Sequence, residues 1–95
     1  MRVRYTPRAQ DDLFAIHDYL DERNPSGALN VLAAIHRAIT LVATQPESSR
    51  LTDDPAVRMK LVTKYQYKIF YRVTDHIEIL YIRHGARRPW GLEER

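Results

Sequence analysis

Hydrophobic residues recur along this chain with two periods, and the switch between them divides it. From Ala9 the apolar positions Ala9, Leu13, Ile16 and Leu20 step by four, three and four, one stripe of an amphipathic helix, while Asp11, Asp12, Asp18 and Asp21 fall mostly off it. Thr6-Pro7 supplies a capping hydroxyl and a proline tolerated in the first turn, so helix one is expected from there to about Arg23. Asn24-Pro25-Ser26-Gly27 ends it and caps the next helix, where Ala28, Leu32, Ile35, Ile39 and Val42 form a stripe broadened by Val31, Ala34, Ala38 and Leu41. Such breadth implies cover on two sides, by helix one and by a sheet. Gln45-Pro46 stops this second helix.

Residues 46–56 are rich in turn formers and read as a surface loop. From Val57 the period becomes two. Val57, Met59 and Leu61 alternate with Arg58 and Lys60, then Tyr65, Tyr67, Ile69, Tyr71 and Val73 alternate with Gln66, Lys68, Phe70 and Arg72. Only Thr74, Asp75 and His76 separate this run from Ile77–Ile82, so the two form a tight antiparallel hairpin. Ile77–Ile82 is apolar at both parities, as a central strand covered on both sides would be. With a short strand at residues 2–5 the order is β-α-α-β-β-β. The expected fold is α+β, a single domain over residues 1–95, with an antiparallel sheet of about four strands and a helical hairpin on one face. Phe70, Leu80 and Ile82, on the parity away from the helices, then need another cover.

Composition narrows the chemistry. No cysteine is present, and four scattered histidines make no metal-ligand spacing, so neither disulfide, thiol nucleophile nor metal site is expected. Ninety-five residues leave no room for a large cofactor. Met1–Tyr5 lacks the apolar run of a secretory signal and no segment suggests a membrane span, which points to the cytoplasm. The net charge of +3 is unevenly spread. Residues 1–56 hold six Lys/Arg against eight Asp/Glu, and residues 57–95 hold nine against four. The basic half should face the target, whether nucleic acid or an acidic partner.

The order of elements, with Tyr67-Lys68-Ile69-Phe70-Tyr71-Arg72-Val73 and Ile77-Glu78-Ile79-Leu80 running into His84-Gly85-Ala86-Arg87, resembles the RelE/ParE superfamily of toxins from type II toxin–antitoxin modules. The His-Gly-Ala-Arg run is most similar to the ParE branch. The resemblance implies a growth-inhibiting toxin held in a hetero-oligomer by a cognate antitoxin, whose C-terminal segment wraps it. Phe70, Leu80 and Ile82 are the expected antitoxin contacts. ParE-like members inhibit DNA gyrase by binding it, whereas RelE-like members cut messenger RNA on the ribosome.

Cleaving RNA requires a general base, an acid and several cations around one phosphate. Arg58, Lys60 and Arg83 offer cations, and His84 is the one group after the last strand able to move a proton near neutrality. No tyrosine follows Arg83 to complete the pair typical of RelE-like enzymes, and Trp90 cannot exchange a proton. The gyrase reading, with no catalytic residue, is therefore favoured over a nuclease built on His84, Arg83, Arg58 and Lys60. A third reading is a degenerate member that only pairs with its antitoxin and contributes to autoregulation. Arg83, His84, Arg87, Arg88 and Trp90 form a basic, aromatic terminus of the kind that anchors interfaces, and are the expected target contacts. Tyr65, Tyr67, Tyr71 and Tyr81 are expected mostly in the core, and His17 and His36 on the surface.

Overall fold

The computed structural model describes residues 1–85. In chain order the elements are β1 (Val3–Tyr5), α1 (Pro7–Arg23), α2 (Pro25–Thr44), β2 (Arg50–Leu51), β3 (Arg58–Val62), β4 (Tyr67–Val73) and β5 (Ile77–His84). The helix boundaries follow from local chemistry. Thr6 Oγ1 accepts the N–H of Ala9 at 3.1 Å, with Pro7 at the first helical position. Asn24 serves both helices: its N–H donates to Leu20 O at 2.7 Å, closing α1, and its Oδ1 accepts from Gly27 N at 3.0 Å, opening α2.

The sheet order is β1-β5-β4-β3-β2, with β1 parallel to β5 and every other pair antiparallel. Five strands replace the four expected. The extra one, β2, is a two-residue strand inside the segment read as loop, where Arg50 pairs with Met59 and Leu51 with Arg58. The central strand is β4, and β5 lies between it and β1.

Both helices pack on one face. Val31, Ile35, Ile39 and Val42 of α2 meet Ile69, Tyr71, Ile77 and Ile79 of the sheet in one buried cluster, with Leu13, Ile16 and Leu20 of α1 packed at its side. By length and composition α2 could cross a bilayer, but its apolar side is spent on this core. Leu41 departs from the expected stripe and is exposed. Tyr71 is wholly buried, and its hydroxyl donates to Pro46 O at 2.7 Å, which fixes the chain leaving α2 to the sheet.

A β-bulge accounts for the double-faced apolarity of β5. Phe70 pairs with Tyr81 and Tyr71 with Ile79, so Leu80 is the extra residue and the side-chain parity of β5 reverses there. Ile82 is therefore inside the core at 4% exposure, contrary to the expectation that it shares an outward face with Phe70. Tyr81 is turned outward instead, onto Phe70. Next to the bulge β1 has ended, and α1 takes over the edge of β5: Thr6 Oγ1 donates to Leu80 O at 2.8 Å, and Asp12 Oδ2 accepts from Ile82 N at 2.9 Å.

Candidate functional site

The expected target contacts begin where β5 ends. Successive strand residues point to opposite faces, so Arg83 and His84 diverge. Arg83 lies at the register position of Lys68, on the face away from the helices, with its guanidinium carbon 5.1 Å from the ring centre of Tyr81. His84 lies opposite Tyr67 on the helix side, their rings edge-on with centroids 4.9 Å apart and planes at 86°. Gly85 closes the strand by donating its N–H to Gln66 O. A Cβ at Gly85 would stand 2.9 Å from that same backbone oxygen, so only glycine fits this closure without a shift. Arg87, Arg88 and Trp90 lie outside the described residues.

Beside His84 a hollow of about 240 Å³ is lined by Ala15, Ile16, Tyr19, Tyr67, Ile82 and His84. A tyrosine, Tyr67, thus meets His84 from across the sheet, a contact that only the β4–β5 register reveals. The cations proposed to surround a scissile phosphate do not gather there. Arg58 donates from Nη1 to the carbonyls of Glu47 and Ser49, at 3.1 and 2.9 Å, and so holds the loop after α2. Lys60 is opposite Ile69 on β3, two strand spacings or about 10 Å from β5. Arg83 is on the other face. Among the described residues no three His, Cys, Asp or Glu side chains are grouped to hold a metal ion.

A second feature was not foreseen from the sequence. Between α1, α2 and β1 lies an open groove of about 410 Å³, lined largely by apolar atoms from Tyr5, Leu13, Phe14, Leu32, Ile35 and Ile39, with His17 and His36 also lining it. Phe14 is 69% exposed beside it. The available signal was Phe14 itself, a large apolar residue off the core stripe of α1. Burial pushes the Tyr5 phenol above its ordinary pKa. Away from both sites, in the β4–β5 turn, the hydrogen bond from His76 holds the Asp75 carboxyl below its ordinary range, with Thr74 adding to it.

Residues 3–89 match the family described as the ParE toxin of the type II toxin–antitoxin system parDE. The Y4kP protein of Sinorhizobium fredii is 33% identical over 89 residues, covering 94% of this chain and 92% of its own. Toxin RelE2 of Caulobacter vibrioides is 37% identical over 87 residues, 90% of this chain and 97% of that one. Among solved structures, a chain of the chromosomal ParDE toxin–antitoxin system of P. aeruginosa superposes with a TM-score of 0.77 at 25% identity, over 88% of this chain and 95% of that one.

Proposed function

The chain belongs to the ParE toxins of type II toxin–antitoxin systems, and from that membership we propose that it arrests growth by binding DNA gyrase and trapping it on DNA, without cofactor or catalysis. The observation that carries this choice over a nuclease is the separation of the candidate nuclease groups. Arg83 and His84 occupy opposite sheet faces, and Arg58 is committed to two loop carbonyls. Among the described residues, a phosphate at His84 would lack the converging cations that phosphoryl transfer needs. Arg83, His84, Arg87, Arg88 and Trp90 remain the proposed gyrase contacts, the last three from the terminus beyond the described residues.

A cognate antitoxin is the partner that membership brings. We place its docking on the apolar groove at Leu13, Phe14 and Leu32 rather than on Phe70, Leu80 and Ile82. Ile82 is inside the core, Phe70 is covered by Tyr81, and Phe14, the most exposed large apolar side chain among the described residues, lines the groove. The proposed site of action is the cytoplasm, where gyrase and the antitoxin both reside.

One observation favours the second reading, a ribosome-dependent endoribonuclease: His84 does meet a tyrosine, Tyr67. A supercoiling assay with purified gyrase, run beside RNA cleavage on programmed ribosomes, separates the readings. Loss of supercoiling supports gyrase inhibition. Codon-linked cuts would replace it with the nuclease, and silence in both would leave a degenerate member acting through antitoxin pairing and autoregulation. Joint replacement of Arg83, Arg87 and Trp90 by alanine should abolish growth inhibition while antitoxin binding persists; unchanged toxicity would remove the terminus from the mechanism.

A further inference from the structure

The two faces of the sheet differ in charge as well as in cover. Pairing register places Arg4, Arg50, Lys68, Arg72 and Arg83 on the face away from the helices, against one strand carboxylate, Glu78. That carboxylate is already engaged, since Arg72 donates to Glu78 Oε1 from both Nε and Nη2. Arg8, in the first turn of α1, reaches the same face with its guanidinium carbon 4.7 Å from the ring centre of Tyr81. Neither Arg8, Arg50 nor Lys68 has an ion pair among the described residues.

At the middle of these cations stands an aromatic stack. Phe70 and Tyr81 lie 4.6 Å apart with planes at 23°. The bulge at Leu80 creates it, for without the parity reversal Tyr81 would point toward the helices and Ile82 outward. Two guanidiniums, of Arg8 and Arg83, then converge on one ring.

We propose that this face, centred on Phe70, Tyr81, Arg8, Lys68 and Arg83, binds a single strand of nucleic acid without cleaving it. The cations supply phosphate contacts, and the guanidinium planes that lie over Tyr81 offer surfaces for unstacked bases. Single strands fit better than a duplex, whose bases present no free face. Phosphate contact and stacking do not discriminate the sugar, so DNA and RNA of one sequence should bind alike. The proposal stands apart from gyrase inhibition and needs no gyrase for its test.

The test is fluorescence anisotropy of the purified full chain with end-labelled DNA and RNA oligomers of about ten nucleotides, a single-fold site size. Saturable binding to both is expected, with hairpin duplexes bound more weakly. Tyr81→Ala should weaken it roughly tenfold, while Tyr81→Phe retains it. Arg8→Ala should lower the slope of log affinity against log salt by about 0.7, the share of one phosphate contact on a single strand. Arg37→Ala, at an exposed position of α2, should change neither. If Tyr81→Ala lowers the melting temperature, Arg8→Glu decides the matter from an exposed helix position. No saturable binding would overturn the proposal, as would equal affinity for duplex, indifference to Arg8→Glu, or binding confined to RNA or accompanied by its cleavage. Polyglutamate displacing the oligomer and binding with the same dependence on Tyr81 would assign the face to an acidic protein segment instead.

Discussion

Asp12 Oδ2 accepts the backbone N–H of Ile82 at 2.9 Å, joining positions 70 residues apart in sequence and fixing the first half of α1 against the edge of β5. The strand edge there has lost β1 as its neighbour, and this carboxylate satisfies the donor that the missing ladder would have paired. Asp12→Ala should therefore cost about 1–3 kcal/mol, whereas Asp12→Asn, which keeps an acceptor oxygen, should cost less. Urea midpoints of the two variants check this. Equal loss in both would mean that the charge of Asp12, not its acceptor, is what matters.

His84 offers the most direct test of chemistry. Its edge contact with Tyr67 is worth about 0.5–1.5 kcal/mol, so His84→Ala should lower stability by that order and weaken the proposed gyrase inhibition. Transcripts in a translating extract should stay intact with either protein. Cuts that appear with the parent chain and vanish with His84→Ala would transfer the function to RNA cleavage.

What the sequence revealed and what it concealed divide along a physical line. Thr6-Pro7, Asn24-Pro25 and Gln45 start or stop helices through bonds made within four residues, so the helical hairpin was legible from composition and spacing. The strands at 58–62, 67–73 and 77–84 follow from period-two patterning for the same reason. The bulge at Leu80 was not legible, because an extra residue is defined only by its partner strand. Both-face apolarity in β5 was read as double cover when it marks a change of parity. Asp12 looked like one more acid on a solvated helix face until the edge of β5 gave it a donor. The Tyr67–His84 contact likewise exists only in the register, and β2 is too short to carry a pattern at all.

Tyr5 ties stability to alkaline pH. Burial raises its phenol above the ordinary value, so the folded chain resists forming the phenolate while the unfolded chain does not. Its contribution is fully present below about pH 10, the unfolded value, and is lost as pH rises through the raised folded value. Tyr5→Phe should remove that part of the alkaline decline. Chemical denaturation of both proteins at neutral pH and above pH 10 provides the comparison, and parallel curves would show that Tyr5 ionises as freely folded as unfolded.

Phe14 separates antitoxin docking from folding. At 69% exposure its ring contributes little to the core, so Phe14→Asp should alter stability by no more than about 0.5 kcal/mol. The groove it borders, with Leu13, Leu32, Ile35 and Ile39, is the proposed seat of an apolar antitoxin segment, and an anchor at such a site is worth about 2 kcal/mol or more. Antitoxin affinity measured by calorimetry should fall by roughly thirtyfold in Phe14→Asp, and cells co-expressing the pair should lose protection while the toxin itself stays active. Phe70→Ser, on the opposite sheet face, should leave that affinity unchanged. If the two variants behave the other way round, the antitoxin covers the outward aromatic stack, and the groove between the helices must serve another partner.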